Sequence, residues 1–117
     1  MNSSLRPNEH IRRRVDFQQV YDRGARIHGQ LSTLFVLPNT LPVSRLGISA
    51  TKKLGSAVVR NRAKRLIREV FRRNKIAVGY DVVVVPKRQL LDAGLAALEI
   101  EYRRSFERSL RRRSESA

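Results

Sequence analysis

Apolar residues between Lys52 and Arg73 return every three or four positions. At about 100° per residue, Val59, Ala63, Leu66, Ile67, Val70 and Phe71 share one side of a helix, the side that packs. Arg60, Asn61, Lys64, Arg65, Arg68 and Arg72 gather on the opposite side. Upstream, Phe17, Val20 and Tyr21 mark a short helix in DFQQVYDRG, with Asp16 as its cap, Gln19 returning the bond, and Gly24 as a left-handed stop. The segment Leu31–Leu37 is rich in β-formers and ends at Pro38, so it predicts a strand, followed by a turn over Asn39–Pro42. Leu46–Thr51 alternates large apolar residues with small or polar ones, which predicts a second strand in a hairpin with the first. Lys52–Ser56 is a loop containing Gly55, and Ser56 is placed to cap the basic helix. The β-branched run Val82–Val85, between Gly79 and Pro86, suits a strand buried on both faces. Leu95, Leu98, Tyr102, Phe106 and Leu110 predict a final helix over about Leu91–Arg112. The basic residues 1–14 read as a mobile arm, and 111–117 as a frayed tail.

With 117 residues and 41% hydrophobic composition, these elements make one domain with a modest core. Charge changes the picture. The net charge is +15, and Lys52–Arg73 holds nine Lys or Arg against one acid, Glu69. Arg60, Lys64, Arg68 and Arg72 stand four apart, where each like-charge pair costs a helix roughly 0.2–0.5 kcal/mol. An external polyanion offsets that cost, because neutralising phosphates releases their condensed counterions. Nucleic acid is therefore the expected partner, ahead of an anionic membrane surface.

Other chemistry finds little support. There is no cysteine, and His10 and His28 lie far apart, so no metal site is expected. The acids are scattered; Glu99 and Glu101, the closest pair, point about 200° apart around one helix. No Gly-rich phosphate loop occurs. The longest apolar runs are far shorter than the about 20 residues a bilayer span needs, and MNSSLRPNEH lacks a secretory apolar core, so a cytoplasmic location is expected. Phe17, Val20 and Tyr21 serve equally well as core or as stacking platforms for unpaired bases. The residues alone thus define an RNA- or DNA-binding α+β domain without catalytic groups of its own.

The order of loop, glycine and basic triplet is more specific. RLGISATKKLGSAVVRNRAKRLIREVFR, Arg45–Arg72, resembles the signature of the protein subunit of bacterial ribonuclease P, including Arg60-Asn61-Arg62. DFQQVYDRG and DVVVV resemble that family's first helix and last strand, so the likeness spans about residues 14–110. It implies a small sandwich of a four-stranded sheet with three helices in the order α-β-β-β-α-β-α, ribosomal protein S5 domain 2-like, with a left-handed β-α-β crossover. It implies RNA contact by Lys52, Lys53, Arg60, Asn61, Arg62, Lys64, Arg65 and Arg68. A cleft holding the single-stranded 5′ leader of precursor tRNA would use Phe17, Tyr21 and Phe35. The implied partners are the catalytic RNA subunit, one protein per RNA, and precursor tRNA. Hydrolysis would belong to Mg²⁺ held by the RNA, with no catalytic or metal-binding residue in the protein. Thr51, Tyr21 and Pro86 depart from the pattern, Pro86 most, because it lacks the N–H that a sheet uses. A ribosomal or nucleoid binding protein is the competing reading on charge alone, and a free-standing metal nuclease the third.

Overall fold

The computed structural model describes residues 5–116, with side chains through Arg112. A short 3₁₀ turn at Pro7–Glu9 precedes helix α1 (Arg14–Arg23) and strands β1 (Ala25–His28), β2 (Ser32–Pro38) and β3 (Arg45–Ile48). Helix α2 (Ala57–Arg73), strand β4 (Tyr80–Pro86) and helix α3 (Gln89–Ser116) complete the chain. The order is thus α-β-β-β-α-β-α around one four-stranded sheet.

The sheet runs β1-β2-β4-β3, antiparallel except for the parallel pair β3 and β4. β4 is interior because its side chains are apolar on both faces. Val82 and Val84 pack with Leu34, Val36, Leu46, Ile67, Val70 and Phe106 on the side covered by α2 and α3. Val83 and Val85 face the other way, toward Phe35, Val20 and Phe17 of the layer capped by α1. Pro86 closes the strand opposite Ser32, so its missing N–H falls where pairing ends.

Helix α2 forms where the 3.6-residue period predicts it. Ser56 caps its first turn, its Oγ accepting from the Val59 N–H at 3.4 Å, and Ala63, Ile67, Val70 and Phe71 are buried. In α3, Leu98, Tyr102 and Phe106 are buried as the spacing requires. Gly94 breaks this helix with φ 82°, a left-handed conformation that needs glycine.

Several expectations are corrected. The strand at Leu46 makes no hairpin with β2; β4 lies between them, since the strand with four successive valines gains most from the position covered on both faces. β1, four residues with two polar side chains outward, carried too little pattern to be read. Asp16 does not cap α1, which starts at Arg14 with no side-chain cap bond; its carboxylate faces Arg45 instead, at 3.6 Å. Gly24 is extended, with φ −76°. Its requirement is space, because a Cβ there would stand 2.5 Å from the Val20 carbonyl oxygen.

The expected basic arm is, from residue 5 onward, a strap along the free edge of β3. Ile11 is 5% exposed, its N–H donates to the Leu46 carbonyl at 2.9 Å, and His10 bridges to Leu46. Glu9 ion-pairs with Lys75, whose ammonium sits over the Phe71 ring. An unpaired strand edge and one apolar side chain are enough to hold the segment. Residues 1–4 lie outside the described residues. The tail expected to fray from Arg111 continues α3 to Ser116.

Candidate nucleic-acid interface

Helix α2 divides its cations into two groups. Near its C-terminus they are engaged within the protein. Arg72 donates to both Glu69 oxygens, one contact being 2.6 Å, and Arg73 lies 3.5 Å from Glu99. The Arg72 hydrogen bonds hold the Glu69 carboxyl below its ordinary range against some desolvation. Arg72, expected among the outward donors, is therefore tied to its own helix. The other cations are different. Among the described residues no ion pair includes Lys52, Lys53, Arg60, Arg62, Lys64, Arg65 or Arg68. Lys52, Lys53, Asn61, Arg62 and Arg65 are exposed, and Arg60, Lys64 and Arg68 are half-exposed.

The loop before α2 is fixed to it. Arg60 donates to the Gly55 carbonyl at 3.1 Å, and Gly55 has φ 152°, where a Cβ would stand 2.9 Å from Val59 Cγ1. Lys52 and Lys53 are thereby held at the positive end of the helix dipole, in a place suited to anions. The strap adds to this surface. Burial first, then the charges of Arg12 and Arg68, depress the His10 pKa below 6.5. Val58, 77% exposed, is a flat apolar spot within the cationic turn.

The three aromatic residues come together on the other face of the sheet. Phe17 and Tyr21 are 6.5 Å apart between centroids, and Tyr21 meets Phe35 edge-on at 5.0 Å. All three are half-exposed, beside buried Ile11, Val20 and Val83. They are thus neither plain core nor free rings. The cationic and aromatic sets do not merge into one patch. They lie on opposite faces of the sheet and meet around the β3 edge, where Ile11 belongs to the aromatic layer and His10 to the neighbourhood of Arg68.

Three parts of this site escaped sequence reasoning. Gly47 seats the Phe17 ring: a Cβ there would fall 2.7 Å from Phe17 Cε1 and Cζ. A glycine inside the strand pattern LGIS is the signal for such a close approach. Arg26 stacks its guanidinium 5.7 Å from the Phe35 centroid, through a register that sequence spacing does not reveal. Finally, Arg45 forks onto Asp81 at 2.8 and 2.6 Å, with Asn39 donating to the same carboxylate at 2.8 Å. With Asp16 at 3.6 Å this cluster ties α1 to the sheet. The Asp81 hydrogen bonds first, with the neighbouring carboxylate charges adding to them against burial, hold the Arg45 guanidinium still more firmly protonated than usual.

Among the described residues, no three His, Asp or Glu side chains converge as a cation site. No helix among them is long and apolar enough to cross a membrane. The arrangement is suited to holding a phosphate backbone along a rigid rod and unpaired bases against rings.

Known proteins carry the same architecture. The sequence profile of the ribonuclease P family matches residues 5–110. The ribonuclease P protein component of Desulfovibrio desulfuricans is 46% identical over 93 residues, covering 76% of this chain and 69% of that protein. That of Thermotoga maritima is 39% identical over 92 residues, covering 77% and 79%. Among solved structures, the RNase P protein of Staphylococcus aureus superposes with a TM-score of 0.75 at 30% identity, over 85% of this chain and 93% of that one. The Thermotoga maritima RNase P protein gives 0.72 at 33% identity, over 80% and 91%. With its element order, its Arg60-Asn61-Arg62 helix and these matches across nearly its whole length, the chain belongs to the ribonuclease P protein family.

Proposed function

We propose that the chain is the protein subunit of ribonuclease P, the ribonucleoprotein endonuclease that removes the 5′ leader from precursor tRNA in the cytoplasm. Lys52, Lys53, Arg60, Asn61, Arg62, Lys64, Arg65 and Arg68 contact RNA, of the catalytic subunit or of substrate near the cleavage point. Phe17, Tyr21 and Phe35 hold the single-stranded leader. Hydrolysis of the phosphodiester belongs to Mg²⁺ bound by the RNA subunit, one protein serving each RNA. The chain's part is to raise substrate affinity and to reduce the Mg²⁺ that the RNA needs.

The observation that carries this reading is the set of cations on α2 and its loop that have no acid partner among the described residues. A packed helix keeps that density of like charge only at a cost, and counterion release on binding RNA offsets it. Relatives named ribonuclease P protein component support the choice of RNA. The test is reconstitution at low Mg²⁺, comparing the RNA subunit alone with RNA plus this chain. Stimulated 5′ processing is expected. Equal processing with and without the chain overturns the assignment, and would favour a ribosomal or nucleoid role for the same charge.

A further inference from the structure

The aromatic layer does not end at Phe35. Arg26, on the outer edge strand β1, covers that ring with its guanidinium, while its carbonyl accepts from Arg112 Nη1 of α3 at 2.5 Å. One residue thus joins the aromatic face to α3, which lies along the free edge of β1. The α3 surface there is cationic. Arg104, Arg108 and Arg111 are exposed, follow one another at four and three residues, and take part in no ion pair among the described residues. Beside them runs a groove of about 480 Å³ bordered by Gln30, Ile100, Arg104 and Arg108. The carboxylate at its floor, Glu101, is turned toward the backbone of the β1–β2 loop. It accepts from the Leu31 and Ser32 N–H groups at 3.0 Å each, and lies against Gly29, where no Cβ would fit. Among the described residues, Glu107 is the one exposed acid beside Arg104, Arg108 and Arg111.

We propose that the β1 edge and the Arg104, Arg108 and Arg111 ridge of α3 form a second binding surface for single-stranded RNA, taking the 5′-distal part of a long leader after it leaves the aromatic cleft past Arg26. This rests on the leader reading above and extends it. The occupant is the leader because the surface is continuous with the cleft through Arg26 at the β1 edge, whereas α2 and its cations lie toward β3, the opposite edge of the sheet. Contacts are to phosphates, so length matters and base sequence does not.

The experiment uses the reconstituted complex of the RNA subunit and the full chain. It measures affinity for precursor tRNA with a short leader that ends within the cleft, and with the same leader extended at its 5′ end. Wild type is expected to bind the extended substrate about fivefold more tightly, as two or three exposed charge contacts allow. Arg104→Gln/Arg108→Gln should abolish that increment, leave the short-leader affinity at the wild-type value, and lower the salt slope for the extended leader by about 1.4. Three results overturn the proposal: no length increment in wild type, an increment retained in the double variant, or equal weakening of both substrates. Phe17→Ala separates the two readings. It should weaken the short leader as well; if it does so while the Arg104/Arg108 variant keeps the increment, the cleft stands and the ridge falls. If neither variant affects any leader, the leader reading itself falls.

Discussion

Replacing Gly47 by alanine perturbs the aromatic cleft from beneath without touching a ring. The new methyl would stand 2.7 Å from Phe17 Cε1 and Cζ and 3.3 Å from Ile11 Cβ, well inside normal contact. Gly47 lies in β3, paired with Val83, so the strand backbone is fixed by its ladder and the ring must move. The clash is with the far end of a side chain, so the cost is that of modest overpacking, about 1–2 kcal/mol. For a domain of this size the melting temperature falls by about 4–8 °C. The functional effect is larger in proportion, since a base stacked on a displaced ring loses about 1–3 kcal/mol. Binding of leader-bearing precursor tRNA by the reconstituted complex should weaken about tenfold, while mature tRNA binding is unchanged. The double variant Gly47→Ala/Phe17→Ala removes the clash, so its loss of stability should be smaller than the sum of the two single losses. Wild-type stability with undiminished leader binding in Gly47→Ala would refute the seating of Phe17 on Gly47.

Further outcomes follow from the same geometry. Arg65→Gln/Arg68→Gln should lower the slope of log affinity against log salt for the RNA subunit by about two, one per side chain, with melting unchanged; an unchanged slope would mean these groups only face solvent. Asp81→Ala leaves Arg45, with 21% of its side chain exposed, facing only Asp16 at 3.6 Å, and should cost about 2–4 kcal/mol in denaturant unfolding; a loss under about 1 kcal/mol would show that the cluster does not anchor α1. Glu9 is partly desolvated, yet Lys75 and Arg6 hold its carboxyl below 4.5. A depressed carboxyl stabilises the fold above its unfolded value and loses that contribution as pH falls through the folded one. The gap in melting temperature between wild type and Glu9→Gln should therefore be small, full at neutral pH, and vanish in acid below pH 4.5. A gap that persists at the lowest pH would place the strap's attachment elsewhere.

The helices were legible because their apolar period is long enough to average over single exceptions, as in α2 with its six packing positions. The partners of the strands were not. Leu46–Thr51 alternates as a hairpin strand should, but nothing local says that Val82–Val85, arriving after a helix, takes the place between it and β2. The strap is a similar case: Ile11 stands alone among charges, and its burial depends on an edge of β3 that exists only in the folded sheet. Within the site, the cationic face followed from periodicity. Its division did not, although Glu69 three residues before Arg72 is a spacing at which such a pair forms. Phe17 and Tyr21 share a helix face by spacing, but Phe35 joins them only through the β2 register, and Arg26 through that of β1.

The central claim is that the cations of α2 and its loop that have no acid partner among the described residues, together with an aromatic cleft, serve a leader-bearing RNA. It is tested most directly by the affinities of precursor and mature tRNA for the RNA subunit, with and without this chain. The account predicts that the chain tightens binding of the precursor far more than that of mature tRNA. Equal tightening of both, or none, would contradict it.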